Sequence, residues 1–162
     1  MISISETTNY NAIKEIAAMT WPKTYGEILS SEQIGYMFAM MYDIEALKKQ
    51  AEEKHHHFII AEENGENLGF ASYEFDYLGT KTKIHKIYIL PQTQGKGIGR
   101  KLIDFIAEKA IQNQNDALSL NVNRSNSAFE FYTKIGFEKV GEEDIDIGNG
   151  YLMEDYIMDK KL

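Results

Sequence analysis

The sequence predicts a mixed α/β fold, and three observations carry that reading. The run Ile84-His85-Lys86-Ile87-Tyr88-Ile89-Leu90 alternates and is rich in branched residues, so it reads as a strand ended by Pro91. Directly after it, Ile98, Leu102, Phe105, Ile106 and Ala110 recur at helical spacing. Strand-like and helix-like stretches then interleave along the rest of the chain instead of segregating. The 162 residues suit one domain, 1–162, with a real core, because no linker, repeat or low-complexity stretch divides them.

Taken in order, Ile2-Ser3-Ile4 reads as a short first strand. Tyr10, Ile13, Ile16, Ala17 and Met19 mark a helix ending near Trp21-Pro22. Ser30 or Ser31 is placed to cap a second helix through Ile34, Met37, Phe38 and Met41, and Asp43 begins a third with Ile44, Leu47 and Ala51 on one side. Strands follow from Phe58 to Ala61 and from Leu68 to Tyr77, joined by the hairpin turn Asn64-Gly65-Glu66-Asn67, and then from Lys83 to Leu90. After the long helix come a strand from Ala117 to Val122, a short helix, and strands from Phe137 to Ile147 and from Tyr151 to Met158.

Bulk properties exclude several functions. Net charge is −8, from 17 basic and 25 acidic residues, which makes nucleic acid a poor partner, since phosphate binding demands clustered Lys and Arg. A cationic guest is the more natural one, because an acidic surface raises its local concentration. The local excess of positive charge at Lys81, Lys83, Lys86, Lys96, Arg100 and Lys101 stands against that background. Met1-Ile2-Ser3-Ile4-Ser5 is too polar for a signal peptide, and no apolar run approaches the ~18 residues of a membrane span. The absence of cysteine removes disulfides, thiolate metal sites and a cysteine acyl-enzyme, and agrees with a cytoplasmic protein.

Between strand and long helix lies Gln94-Gly95-Lys96-Gly97-Ile98-Gly99. Its glycines occupy every second position, so another backbone or a ligand can come close. A glycine-rich turn at a helix N-terminus points several amides outward with the helix dipole behind them, which is a cradle for a pyrophosphate. Two familiar nucleotide motifs do not fit it. A P-loop requires Gly-Lys followed by Ser or Thr, whereas Lys96 sits between glycines with no hydroxyl residue in register. A dinucleotide fingerprint requires a third glycine where Arg100 stands and an acidic residue ending the next strand, but Asp116 precedes that strand.

The pattern that does fit, Gln-x-x-Gly-x-Gly, resembles the acetyl-CoA signature of the GNAT N-acetyltransferase superfamily. About thirty residues on, Asn126-Ser127-Ala128-Phe129-Glu130-Phe131-Tyr132-Thr133-Lys134-Ile135-Gly136-Phe137 resembles that family's Asn-x-x-Ala-x-x-Phe-Tyr-x-Lys-x-Gly-Phe element. Physically this block is a short helix capped by Ser125 or Asn126, with Ala128, Phe131, Tyr132 and Ile135 as its apolar side and Gly136 as its stop. Both blocks in this order resemble the GNAT fold, which implies a strongly twisted mixed sheet with helices on both sides. The likeness is firm over residues 55 to 160 and looser before them.

The resemblance implies an enzyme that moves acetyl from acetyl-CoA, its co-substrate, to an amine, with no metal. It implies that the strand before the loop and the one after the long helix part, and that the pantetheine arm pairs with the backbone of Ile87, Tyr88 and Ile89. Gln94, Gly95, Lys96, Gly97, Ile98, Gly99 and Arg100 then hold the pyrophosphate, and Asn126 bonds the pantetheine arm, although a plain helix cap also explains Asn126. Tyr132 matches the family's usual general acid. A thiol titrates near ~8.5 and a phenol near ~10, so full proton transfer to the thiolate is slightly uphill unless the site lowers the phenol's pKa.

The general base is unassigned. Lys83 occupies the position of a glutamate seen in some family members, and His85, Glu74 and Glu154 are the candidates. His55-His56-His57 reads as a polar loop, since adjacent residues entering a strand point in alternating directions and do not share one ion. Trp21, Tyr25, Tyr36, Met37, Met40, Met41 and Tyr42 read mostly as helix packing, and the resemblance implies that these N-terminal helices roof the acceptor site, where rings can meet cations. The Trp21–Tyr25 spacing and the Tyr36-Met37 segment loosely resemble the PaiA-like diamine and polyamine acetyltransferases. The acceptor expected is therefore a small diamine or polyamine. Protein amino groups are the alternative, as is a catalytically silent CoA-binding sensor. The pattern Tyr151 to Met158 permits a sheet-edge or helix-mediated homodimer.

Overall fold

The computed structural model describes residues 1–162. In chain order its elements are β1 (Ser3–Glu6), α1 (Tyr10–Tyr25), α2 (Ser31–Tyr42), α3 (Ile44–Glu52), β2 (His57–Glu63), β3 (Glu66–Tyr77) and β4 (Lys81–Ile89). A 3₁₀ turn (Pro91–Thr93) leads to α4 (Ile98–Gln112), β5 (Ala117–Asn123), α5 (Ala128–Lys134), β6 (Glu138–Gly148) and β7 (Tyr151–Lys161). The seven strands form one sheet in the order β1-β2-β3-β4-β5-β7-β6. Only the β4–β5 pair is parallel, and α4 supplies the crossover that such a pair needs.

Period-two alternation divides the core between the two faces. On β2, Ile59 and Ala61 join α4 and its residues Leu102, Ile103 and Ile106. Their neighbours Phe58 and Ile60 join Ile13, Trp21, Met37 and Leu47 from α1, α2 and α3. The mixed sheet with helices on both faces is therefore as the sequence predicts. The hairpin turn is a two-residue Asn64-Gly65 connection with φ of 53° and 81°, the combination a type I′ turn requires. No helix is long and apolar enough to cross a membrane.

Four details depart from the sequence reading. Helix α1 runs through Pro22 to Tyr25, because buried Trp21 and Tyr25 hold the last turn on the core. Thr24 Oγ1 donates to Thr20 O at 3.1 Å within that turn. Ser30 does cap α2, accepting from Gln33 N at 3.1 Å, but Asp43 makes no side-chain cap for α3. Phe131, assigned to the apolar side of α5, is 38% exposed, and only Tyr132 of that helix is buried. Finally, β7 lies between β5 and β6, so it offers no free sheet edge for a dimer; the edges are β1 and β6.

Candidate active site

The register of β4 creates the site. Its first half pairs with β5 only from Lys81 to Ile84, while its second half stays paired to β3 alone, through Ile87, Tyr88 and Ile89. The strands thus part, and the β5-facing backbone groups beyond Ile84 have no strand partner. A register shift opposite Ser72 and Tyr73 leaves His85 as the extra residue at the point of parting, the kind of irregularity that bends a strand.

At the top of this cleft the glycine loop enters α4. Gly95 and Gly97 have φ of 91° and 74°, a left-handed conformation that suits glycine, and a Cβ on either would meet no atom within 4 Å. Gly97 is the N-cap of α4, so the amides that follow are uncapped by any side chain. A loop of exposed glycines before a fifteen-residue helix suits an anionic diphosphate. Ile98 is buried in the core and contributes only its backbone, and Gly99 packs against Ile89 and Phe131.

The cleft opens into a cavity of about 1330 Å³ that also runs beneath α1 and α2. Ile87, Tyr88, Ile89, Asn126 and Tyr132 all line it, as do Gln94, Gly95, Gly97 to Gly99 and Arg100 of the loop. Lys96 does not; it turns away to Glu63 at 3.5 Å. Lys83 and Lys86 do line the cavity, but most of the basic cluster is already partnered. Lys81 pairs with Asp159 at 2.6 Å, Lys86 donates to Gln50 Oε1 at 2.6 Å, and Lys83 donates to Asn121 Oδ1. Of the six cations noted in the sequence, Arg100 is the one placed at the loop's end of the cavity.

Tyr132 is 7% exposed, edge-on to Phe131 and Phe137 at 5.4 and 5.7 Å. Burial raises its phenol pKa, with a smaller contribution from Tyr25, so the site does not acidify the hydroxyl. It is suited to donating a hydrogen bond to a developing anion while keeping its proton at neutral pH. Tyr25 and Tyr88 meet hydroxyl to hydroxyl at 2.9 Å in the same cavity. Asn126 Oδ1 accepts from Ala128 N at 2.9 Å and its NH₂ remains available, while the N-cap of α5 is Ser127, without a side-chain bond, and not Ser125 or Asn126.

The proposed bases separate. His85 Nε2 lies 2.9 Å from Glu74 Oε1, and its ring stacks on His56 at 3.9 Å. The triplet of histidines disperses as alternation requires. His55 sits in the loop before β2 at φ 60°, His56 faces the cavity, and His57 stacks on Tyr73 across the sheet. Sequence reasoning missed that His56 returns to the site beside Glu74 and His85, whose ligand-type atoms lie within 4.8 Å of one another. Burial lowers both imidazole pKa values to about 3, assisted at His56 by His85, Lys86 and Lys54 and at His85 by Lys86, Lys83 and Lys54. Those lysines oppose a divalent cation there. Lys86 is itself lowered to about 8 by burial. Glu154 is exposed and lies outside the cavity, whereas its neighbour Asp155 is buried and lines it.

The roof is partly as expected. Trp21, Tyr42 and Met37 are core residues, and Met40 and Met41 reach the cavity. Tyr36 leaves the roof to donate its hydroxyl to Ile147 O at 2.8 Å, tying α2 to β6.

Comparison with known proteins agrees with this geometry. The acetyltransferase (GNAT) domain family matches residues 27–158. An uncharacterized N-acetyltransferase of Bacillus subtilis (strain 168), YuaI, is 28% identical over 160 residues, covering 95% of this chain and 90% of its own. Other curated relatives are matched over as little as 39% or 58% of their length. The PaiA N-acetyltransferase of Thermoplasma acidophilum, solved in complex with coenzyme A, superposes with a TM-score of 0.83 at 26% identity, covering 100% of this chain and 99% of that one. The ribosomal-protein-S18-alanine N-acetyltransferase of Escherichia coli superposes at 0.72 with 19% identity, over 99% and 94% of the two chains, a likeness of fold.

Proposed function

The chain belongs to the GNAT acetyltransferase family, and from that premise we propose that it moves acetyl from acetyl-CoA to a small primary amine by direct attack in a ternary complex. The observation that carries the reading is a single cavity joining the parted β4–β5 cleft, the Gln94–Arg100 loop and Tyr132. Residues 1–162 act as one domain in this reading.

Gly95, Gly97 and the first amides of α4 receive the pyrophosphate, with Gln94 and Arg100 at its flanks. Lys96 contributes through its backbone, since its side chain is held by Glu63. The pantetheine arm lies along Ile87, Tyr88 and Ile89 and meets the Asn126 amide. An amide near Ile89 polarises the thioester carbonyl, a fixed donor aimed at charge that develops during transfer. Tyr132 donates its hydroxyl hydrogen bond to the departing sulfur. With no cysteine in the chain, acetyl passes directly from sulfur to nitrogen.

A diamine or polyamine suits the acceptor half. Asp155 on β7 and Glu143 on β6 line the cavity, while Lys83 and Lys86 stand on β4, so the β6–β7 side is the one that draws an ammonium. The lack of cysteine agrees with a cytoplasmic setting.

The test is release of free CoA from acetyl-CoA across polyamines, aminoglycosides, amino acids and basic peptides. Saturable release with spermidine or a related amine supports the reading. Saturation with basic peptides alone shifts the acceptor to protein amines. Tight acetyl-CoA binding without release from any acceptor replaces the enzyme by a silent sensor.

A further inference from the structure

We propose that Asp155 receives the acceptor's ammonium group and takes its proton ahead of attack, an inference that rests on the amine-acetylating reading above. The starting point is Lys83, which leaves β4 without a carboxylate at the position where some family members carry a glutamate. The structure supplies one from the far side of the cleft.

Lys83 donates to Asn121 Oδ1. The Asn121 amide nitrogen in turn faces two carboxylates, Asp155 Oδ2 at 3.2 Å and Glu143 Oε2 at 3.1 Å. These two acids are direct cross-strand partners on β7 and β6. Asp155 is only 4% exposed, and its second oxygen, Oδ1, has no hydrogen-bond partner. A buried carboxylate oxygen left unpaired is costly, and an incoming ammonium satisfies it. The rival carboxylate, Glu74, already faces His85 at 2.9 Å and His56 at 3.7 Å.

Asp155 lines the same cavity as Tyr25 and Tyr132. The groups facing it are Lys83 from β4, Glu143 from β6, Arg124 beyond β5 and Tyr25 from α1. Burial raises its pKa, countered by the Asn121 hydrogen bond and by Lys83, raised again by Glu143 and lowered by Arg124. A carboxyl perturbed in this way inside a cleft has the character of a working proton acceptor.

The acceptor arrives as R–NH₃⁺. The Asp155 carboxylate takes one proton and leaves the nitrogen lone pair free. As the nitrogen forms its bond to the acetyl carbon, the C–S bond breaks and its electron pair goes to sulfur. The nitrogen gives up a second proton to become the amide. Of the two protons lost, one ends on the CoA sulfur at Tyr132 and the other passes to solvent.

The experiment is the pH dependence of kcat/KM for spermidine, or for the best acceptor of the panel, in wild type and Asp155→Asn. Wild type should be flat between the Asp155 limb and the pKa of the amine. Asp155→Asn should lose about 100-fold or more at pH 7. Its rate should climb about tenfold per pH unit as free amine becomes available, with the acetyl-CoA Kd unchanged. A variant within about threefold of wild type, or a wild type that climbs in the same way, overturns the assignment. If Asp155→Asn does not fold, Asn121→Leu keeps the carboxylate but removes the bond favouring its charged form, so the acid limb must move upward; an unmoved limb overturns the inference equally. Wild type inactive toward every acceptor would instead remove the acetyltransferase reading and this inference with it.

Discussion

Replacing Tyr132 by phenylalanine removes one oxygen from the wall of the cavity. The ring packs edge-on to Phe131 and Phe137 with centroids at 5.4 and 5.7 Å, and phenylalanine keeps both contacts. Folding stability should therefore stay within about 0.5 kcal/mol, the range of changes that open no cavity and orphan no polar group. Turnover should respond differently. A positioned donor to a leaving group is worth about 10²–10⁴-fold, or about 3–5 kcal/mol of barrier. Because burial raises the phenol's pKa, the loss should track a hydrogen bond and show no inflection in kcat below pH 9 from this residue. The assay is steady-state CoA release, beside acetyl-CoA Kd by calorimetry and a urea melt. The reasoning is refuted if kcat falls less than about fivefold, or if Kd rises in step with the loss of turnover.

Three further outcomes follow from the same geometry. Gly97→Ala meets no atom but must hold φ 74°, so it should cost about 1–2 kcal/mol, read as lower urea stability or a roughly 5–30-fold weaker acetyl-CoA Kd; no change in either would discount the strained loop. Gly35→Ala lies inside α2 with nothing within 4 Å of the new methyl, so it should raise stability by about 0.5–1 kcal/mol in the same melt. Acid should unfold the protein early. The unfolded chain binds a proton on each histidine near ~6.5, whereas folded His56 and His85 do not until about 3. Between those values the unfolded state holds more protons, so stability falls as pH drops, by up to about 1.4 kcal/mol per pH unit for each histidine. His85→Gln should flatten that slope in melts at pH 6.5, 5.5 and 4.5, and an unchanged slope would count against it.

Much of the fold was legible because it is local chemistry. Alternation in Phe58 to Ala61 and helical recurrence from Ile98 to Ala110 are imposed by which side chains must face a core. Asn64-Gly65 and Gly97 carry backbone demands that few other residues meet. Asp155 was missed, although a signal existed. Ser119, Asn121 and Asn123 alternate with Leu118, Leu120 and Val122, marking one face of β5 as polar, and Asp155 pairs with Asn123 on that face. What no local pattern contains is the register that seats Asp155 beside them. The same holds for His56, which reaches His85 on β4 from the residue just before β2, two strands away in the sheet.

The sequence by itself determined the strand, glycine loop and helix proposed to receive a pyrophosphate, because backbone conformation and helix amides depend on neighbours in the chain. Only the tertiary structure decided which charges face the cavity. It turned Lys96 to Glu63, closed Lys83 onto Asn121, left Asp155 Oδ1 unpaired and buried β7 away from the sheet edge. Those outcomes depend on burial and on distances between segments far apart in sequence, and electrostatics changes most with both.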